Sequence, residues 1–234
     1  MITIDKILNT IKALYPDTIN MVEKNKYFDY LNLFGVRVSS CDTSATDDII
    51  GGFWLEDSFF KSFPNYNSII VSASLDPSPY YIQNPIDPRG TAWIKEGQHI
   101  FSLGSYKGEA AFRPKGEVPV YRMPRGKNLD KTVATLSTSV DTLIHRSWSM
   151  KLYKDSAGCQ VVPLSDLKKL VDRAKIHQKK YPQLKDKNGV TYFTYTLLTQ
   201  EQVDKYGESS TTYSQSIFGL PPLPNLGDLF NTNK

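Results

Sequence analysis

From Tyr27 onward the chain is divided into short apolar or aromatic runs, separated by Gly, Pro, Asn and Asp. Runs of this length, with turn signals between them, suit strands of a sandwich or barrel. The strands are expected near Leu31–Val38, Gly52–Leu55, Phe59–Phe63, Ser68–Ala73, Thr91–Ile94, His99–Leu103, Ala110–Phe112, Pro119–Arg122, Leu143–His145 and Tyr192–Leu198. Turn chemistry is dense at Asp76-Pro77-Ser78-Pro79, Asn84-Pro85 and Asp87-Pro88-Arg89-Gly90. Aromatic residues make up 12% of the chain, led by 14 Tyr and 11 Phe, and these fit half-buried pleated surfaces.

The 234 residues are enough for one main domain with extensions, and a 40% hydrophobic content is enough for a real core. The expected division is an N-terminal helical arm over 1–28, a β domain over 29–206 and a tail over 207–234. In the arm, Ile4, Ile7, Leu8, Ile11 and Leu14 repeat at helical spacing, with Thr3 as N-cap and Pro16 as the stop. Such an arm packs on its own domain or on a neighbouring subunit. Leu167, Leu170, Val171 and Ala174 predict a second amphipathic helix, N-capped by Ser165 and running to about Tyr181. Thr199-Gln200-Glu201-Gln202 fits a capping box. The tail is rich in Ser, Thr, Asn, Gly and Pro, yet carries Ile217, Phe218, Leu220, Leu223, Leu226, Leu229 and Phe230. It is read either as disordered or as docking on another copy or a neighbouring protein.

The net charge of +4 decides no partner. Between Ser165 and Lys187, however, eight Lys/Arg stand against three Asp. The helical spacing there makes a solvated helix face the better reading, and no strong nucleic-acid signal is left. Cys41 and Cys159 lie too far apart in sequence to form a disulfide scaffold. The first residues carry charges where a signal peptide is apolar, and no run approaches the ~18 apolar residues of a membrane span. The expected place of synthesis is a cytosol, without an encoded export route. Three His and two Cys show no zinc-type spacing, and no phosphate-binding Gly loop is followed by Lys. Neither a metal nor a cofactor is expected.

Chemistry concentrates in DTLIHRSWSMKLYKDSAGCQVV. His145 ends an apolar run, and Cys159 follows fourteen positions later inside Ser156-Ala157-Gly158-Cys159-Gln160. A thiol becomes a strong nucleophile as thiolate, and an adjacent imidazole lowers the cost of making it. Such a pair is expected to react well below the ordinary thiol value of about 8.5. Gly158 allows close backbone approach, so N–H groups around it could hold an oxyanion, with Ser156 and Gln160 as support. Arg37 is a candidate for binding a carboxylate, against a structural ion pair. The competing reading of the pair is a buried small hydrophobe and a satisfied structural imidazole.

The order His, interval, Ser-x-Gly-Cys resembles the L,D-transpeptidase (YkuD-like) family. Those are β-rich cysteine enzymes acting on peptidoglycan stem peptides. Further motifs resemble a phage and bacterial group of the same kind: Gly35-Val36-Arg37, Gly90-Thr91-Ala92, Gly97-Gln98, Leu103-Gly104-Ser105-Tyr106-Lys107-Gly108, Tyr121-Arg122, Ile144-His145-Arg146 and Ser156-Ala157-Gly158-Cys159-Gln160-Val161. The resemblance spans about Leu33 to Val162. It implies an L,D-transpeptidase-like β-sandwich or barrel with a few peripheral helices. It also implies Cys159 as nucleophile, His145 as base, and Arg146, Arg37 and Tyr106 as substrate-binding residues. There are departures. Ala157 stands where transpeptidases have a second His, Val161 where they have Arg or Asn, and Arg146 where they have Gly. Tyr106 replaces a His of the phage group, and Met123 an acid.

Two functions follow as expectations. The first is a phage-encoded cysteine enzyme that cleaves or exchanges peptidoglycan peptides and is delivered by a virion. The second is a non-catalytic virion component, such as a tail or portal-associated ring protein, meeting its neighbours through the arm and the tail.

Overall fold

A computed structural model describes residues 2–19, 29–38, 45–56, 66–148 and 154–208. The fold is mainly β. Its strands are β1 (Asn32–Arg37), β2 (Asp48–Leu55), β3 (Tyr66–Ala73), β4 (Thr91–Ile94), β5 (Gly97–Tyr106), β6 (Glu109–Pro114), β7 (Val118–Met123), β8 (Thr135–Ser139), β9 (Ile144–Arg146), β10 (Gln160–Val162) and β11 (Tyr192–Thr199). The α-helices include α1 (Ile4–Leu14), α2 (Pro79–Gln83), α3 (Leu164–Lys180) and α4 (Gln200–Tyr206). Eight strands form one sheet in the order β10-β9-β6-β5-β11-β1-β2-β3, and β4-β7-β8 form a second. The pairs β1–β11 and β9–β10 are parallel. The large sheet nearly closes on itself. Just past β3, Ser74 exchanges two backbone hydrogen bonds with Val161 of β10, at 2.9 and 2.8 Å.

Alternation along the strands gives this curved sheet two apolar faces. Leu33, Ile50, Phe101, Phe112, Ile144, Val162, Phe193, Tyr195 and Leu197 share the interior. Helix α3 joins that core through Leu167, Leu170, Val171 and Ala174, while its lysines stay outside. The basic stretch between Ser165 and Lys187 is thus largely an amphipathic helix. Gly35 on β1 leaves room for the Tyr195 phenol, because a Cβ there would lie 2.2 Å from its oxygen.

The outer faces of β1, β2 and β11 are covered by the N-terminal arm. Ile7, Ile11 and Ile19 bury against Phe34, Val36, Phe53, Leu198 and Val203. Each fully buried aliphatic side chain contributes about 1.5–3 kcal/mol, so the arm is held in cis. Thr3 caps α1 through Lys6 N, Asn9 Nδ2 donates to Gly207 O at 2.9 Å, and Lys6 pairs with Glu208 at 2.7 Å. Of the two readings of the arm, packing on its own domain is the one seen, and its most apolar side chains are spent there. Most of the tail, residues 209–234, lies outside the described residues, as does the strand expected over 59–63.

Several boundaries differ from expectation. Strand β2 begins at Asp48, whose carboxylate is turned inward onto backbone amides rather than exposed. Ser165 is inside α3; the N-cap position is Pro163, which offers no side-chain acceptor. The capping box at Thr199 and Gln202 is formed in both directions. Strands β8 and β10 and helix α2 were not anticipated.

Candidate functional site

The site lies on the outer wall of the large sheet, where β9 and β10 run parallel. Their register sets Val161 opposite His145 and Gln160 opposite Ile144. Side chains opposite one another point the same way, so His145 and Val161 share the outer face. Cys159, two residues before Val161, enters β10 from that side. Gln160 points inward instead, beside the interior residues Ile144 and Val162, and is fully buried. This corrects its expected role in oxyanion support: its side chain belongs to the core.

The loop that carries the thiol is clamped from below. Ser78 Oγ accepts hydrogen bonds from Asp155 N (3.1 Å) and Ser156 N (2.9 Å), and Ser78 N donates to Ser156 O (2.8 Å). Ser156 Oγ accepts from Gly158 N (3.1 Å) and donates to Cys159 O (2.5 Å). Gly158 has φ +137, and a Cβ there would lie 2.8 Å from Ala92 O. Only glycine lets the loop settle so close to β4. Two motif segments far apart in sequence, Gly90-Thr91-Ala92 and Ser156-Ala157-Gly158-Cys159, therefore meet. Ser78 was not singled out from the sequence, although its Pro-rich turn was visible.

The Gly158 amide is consumed by Ser156, so it is not the oxyanion donor expected of it. The Gln160 amide is also occupied, donating to Leu143 O at 2.7 Å. Within this loop the amides of Ala157 and Cys159 make no hydrogen bond to a described residue, and the Cys159 amide is carried by the thiol residue itself.

His145 is buried, and its Nδ1 lies 2.7 Å from Arg146 O. A carbonyl only accepts, so Nδ1 carries the proton and Nε2 keeps its lone pair. Burial holds the imidazole below its ordinary value, so it is neutral at pH 7. The Tyr106 ring packs on it at 4.9 Å. Tyr106 thus touches the His145 ring.

The thiol at rest is not paired with this imidazole. Cys159 Sγ donates to Asp141 O at 3.3 Å and accepts from Leu143 N at 3.5 Å. Burial pushes the thiol up to about 11. The expected acidified pair is therefore absent in this state, because adjacent strands place the two side chains on one face without joining them. Cys159 is expected to alkylate more slowly at pH 8 than the same thiol in denaturant, on a rate profile still rising above pH 10. His145→Ala is expected to leave that profile in place. A plateau below pH 8.5 in native protein would show that the resting thiol is activated after all.

Arg37, considered for carboxylate binding, is buried and holds the fold. It pairs with Asp76 at 3.0 Å and donates to Ile94 O and Leu75 O. Through the 75–78 turn it supports Ser78 and thereby the thiol loop. Arg146 is also occupied: its guanidinium stacks 3.9 Å from the Trp148 ring and lies 3.6 Å from Glu109.

Among the described residues no group of three or more His, Cys, Asp or Glu could hold a metal, and no helix is long and apolar enough to cross a membrane. No family model, curated protein or solved structure matches this chain.

Proposed function

We propose that this protein is a cysteine acyl-transfer enzyme of the L,D-transpeptidase-like type, acting on peptidoglycan peptides and delivered by a phage virion. The observation that carries the reading is the shared outer face of β9 and β10. A thiol and an imidazole lie there on neighbouring strands, and the imidazole is fixed in the tautomer a base needs. For reaction, the thiol proton must leave the Asp141 carbonyl and pass to His145 Nε2. The thiolate then attacks the peptide carbonyl carbon, and the oxyanion meets the Cys159 amide. Collapse breaks the C–N bond, with the His145 proton going to the leaving amine. The acyl group on sulfur then passes to an acceptor amine, giving exchange, or to water, giving cleavage.

The test is incubation with purified peptidoglycan and analysis of released or exchanged peptides. Cys159→Ser is expected to remove activity, and His145→Ala to reduce it at least about a hundredfold. Activity that survives Cys159→Ser would take this site out of the mechanism.

A second reading, a structural virion component, is favoured by one observation: the resting thiol is bonded to backbone and raised by burial, as in an inert core cysteine. Intact protein inactive on every peptidoglycan type, together with stable incorporation into virions of the Cys159→Ser form, would select it.

A further inference from the structure

Strands β5 and β6 are joined by only two residues, Lys107 (φ 50) and Gly108 (φ 81), between the paired residues Tyr106 and Glu109. Positive φ at both central positions makes this a type I′ turn, whose first position normally takes Asn, Asp or Gly. The backbone preference does not explain a lysine there, so its side chain is the place to look for a reason. Lys107 Nζ lies 5.1 Å from the Tyr106 ring and 5.7 Å from the Trp148 ring. Tyr106 packs in turn on His145, so the hairpin tip, the base and Trp148 form one surface.

Cationic side chains around the thiol differ in what occupies them. Arg146 is stacked on Trp148 and faces Glu109, and Arg113 Nη1 donates to Ser105 O at 3.1 Å. Lys107 is exposed and has no carboxylate within pairing distance among the described residues. Val161, two positions after Cys159, is buried and apolar, so β10 itself brings no charge. The Lys107 and Arg113 charges both favour the thiolate of Cys159, and Asp141 opposes it.

We infer that Lys107 is a specificity-determining residue that recruits a carboxylate-bearing substrate to the Cys159 thiol. The inference rests on Cys159 being the nucleophile of the proposed enzyme. The hairpin tip offers an ammonium as a point charge on a turn too short to sway, with Tyr106 and Trp148 flanking it. A substrate carboxylate held there would lie on the surface shared with Tyr106 and His145 without displacing an existing ion pair.

The test compares alkylation of Cys159 by iodoacetate, an anion, and by iodoacetamide, its neutral counterpart. Rates are read by mass spectrometry, which separates the Cys159 peptide from that of Cys41. Taking the ratio of the two rates cancels changes in thiolate fraction, so only attraction of the anion remains. A unit charge acting over roughly 8 Å in a solvent-like medium changes such a ratio about two- to threefold at low salt. Lys107→Met is expected to lower the ratio by that factor, and Lys107→Glu by about five- to tenfold. Both differences should vanish near 1 M salt, and Lys131→Met, whose residue pairs with Glu96, should change nothing. Ratios that are equal for wild type, Lys107→Met and Lys107→Glu would overturn the inference. This readout needs no peptidoglycan, so an anion preference that persists in a protein inactive on cell walls would count against the substrate and not against the carboxylate site.

Discussion

Arg37→Met is expected to cost about 3–5 kcal/mol of stability at pH 8, and much less at pH 5. Arg37 is the countercharge for two buried carboxylates. Asp76 pairs with it directly, and Asp48 accepts from Val38 N and Leu75 N, both at 2.7 Å. Burial, reinforced by the charge of Asp76, pushes Asp48 up to about 7, while Arg37 acts against that rise. Burial raises Asp76 too. A carboxyl group with a folded value above its unfolded one, near 3.8, binds more protons when folded. Its unfavourable contribution grows as pH rises through this window and disappears below it. Removing the guanidinium exaggerates the trend: at pH 5 the carboxyls take protons, and at pH 8 they face each other charged. Urea denaturation at both pH values measures the difference. An equal loss at pH 5 and pH 8 would place the damage in packing instead.

The largest loss on the acid side is expected from His177. Its Nδ1 accepts from Leu31 N at 2.9 Å, so the proton sits on Nε2, which is buried without an acceptor. The rings of Tyr30, Phe193 and Tyr181 surround it at 4.3, 4.9 and 5.6 Å. Burial pushes the imidazole down to about 3, against an ordinary value of 6.5. The unfolded chain binds the proton first, so the stability that depends on a neutral His177 is complete above pH 6.5 and is lost as pH falls towards 3. The full effect is on the order of 4 kcal/mol. His99, held near 4 by burial, acts in the same direction, and Asp48 acts in the opposite one. His177→Gln is expected to be less stable than wild type at pH 7, because it gives up ring packing. It should then lose only about half as much on going to pH 4. An acid loss as steep as that of wild type would assign the sensitivity to other groups.

The strands that could be read from sequence are those whose own residues dictate them. Thr91–Ile94 is found as expected, and Tyr192–Thr199 extends its expected span by one residue, since both are short apolar runs with turn residues nearby. The unanticipated β8 is a polar edge strand, TLSTS, with too little apolar patterning to stand out. Strand β10 has three residues and exists through its neighbours on both sides, which no local pattern encodes. The site shows the same divide. Residue chemistry pointed to Cys159 and His145, but not to their hydrogen bonds, because those depend on how β9 and β10 align. Arg37 was a candidate for substrate because its partner, Asp76, lies 39 positions away in a turn that reads as ordinary loop.

The closure of the large sheet has a mechanical consequence. A ring fastened at one point opens there first, and this fastening is two hydrogen bonds between Ser74 and Val161. The adjoining β9–β10 pair is only three residues long, whereas β2 and β3 pair over eight. Local opening draws on the segments with the fewest bonds to break. The strand following the thiol is therefore mounted on a thinly bonded stretch of wall, since β9 is itself paired to β6 only at Phe112–Ile144, while the Ser78 clip fixes the loop just before it. Cys159 stands between a fixed post and a swinging panel, and a push on the β3 edge reaches it through two backbone contacts.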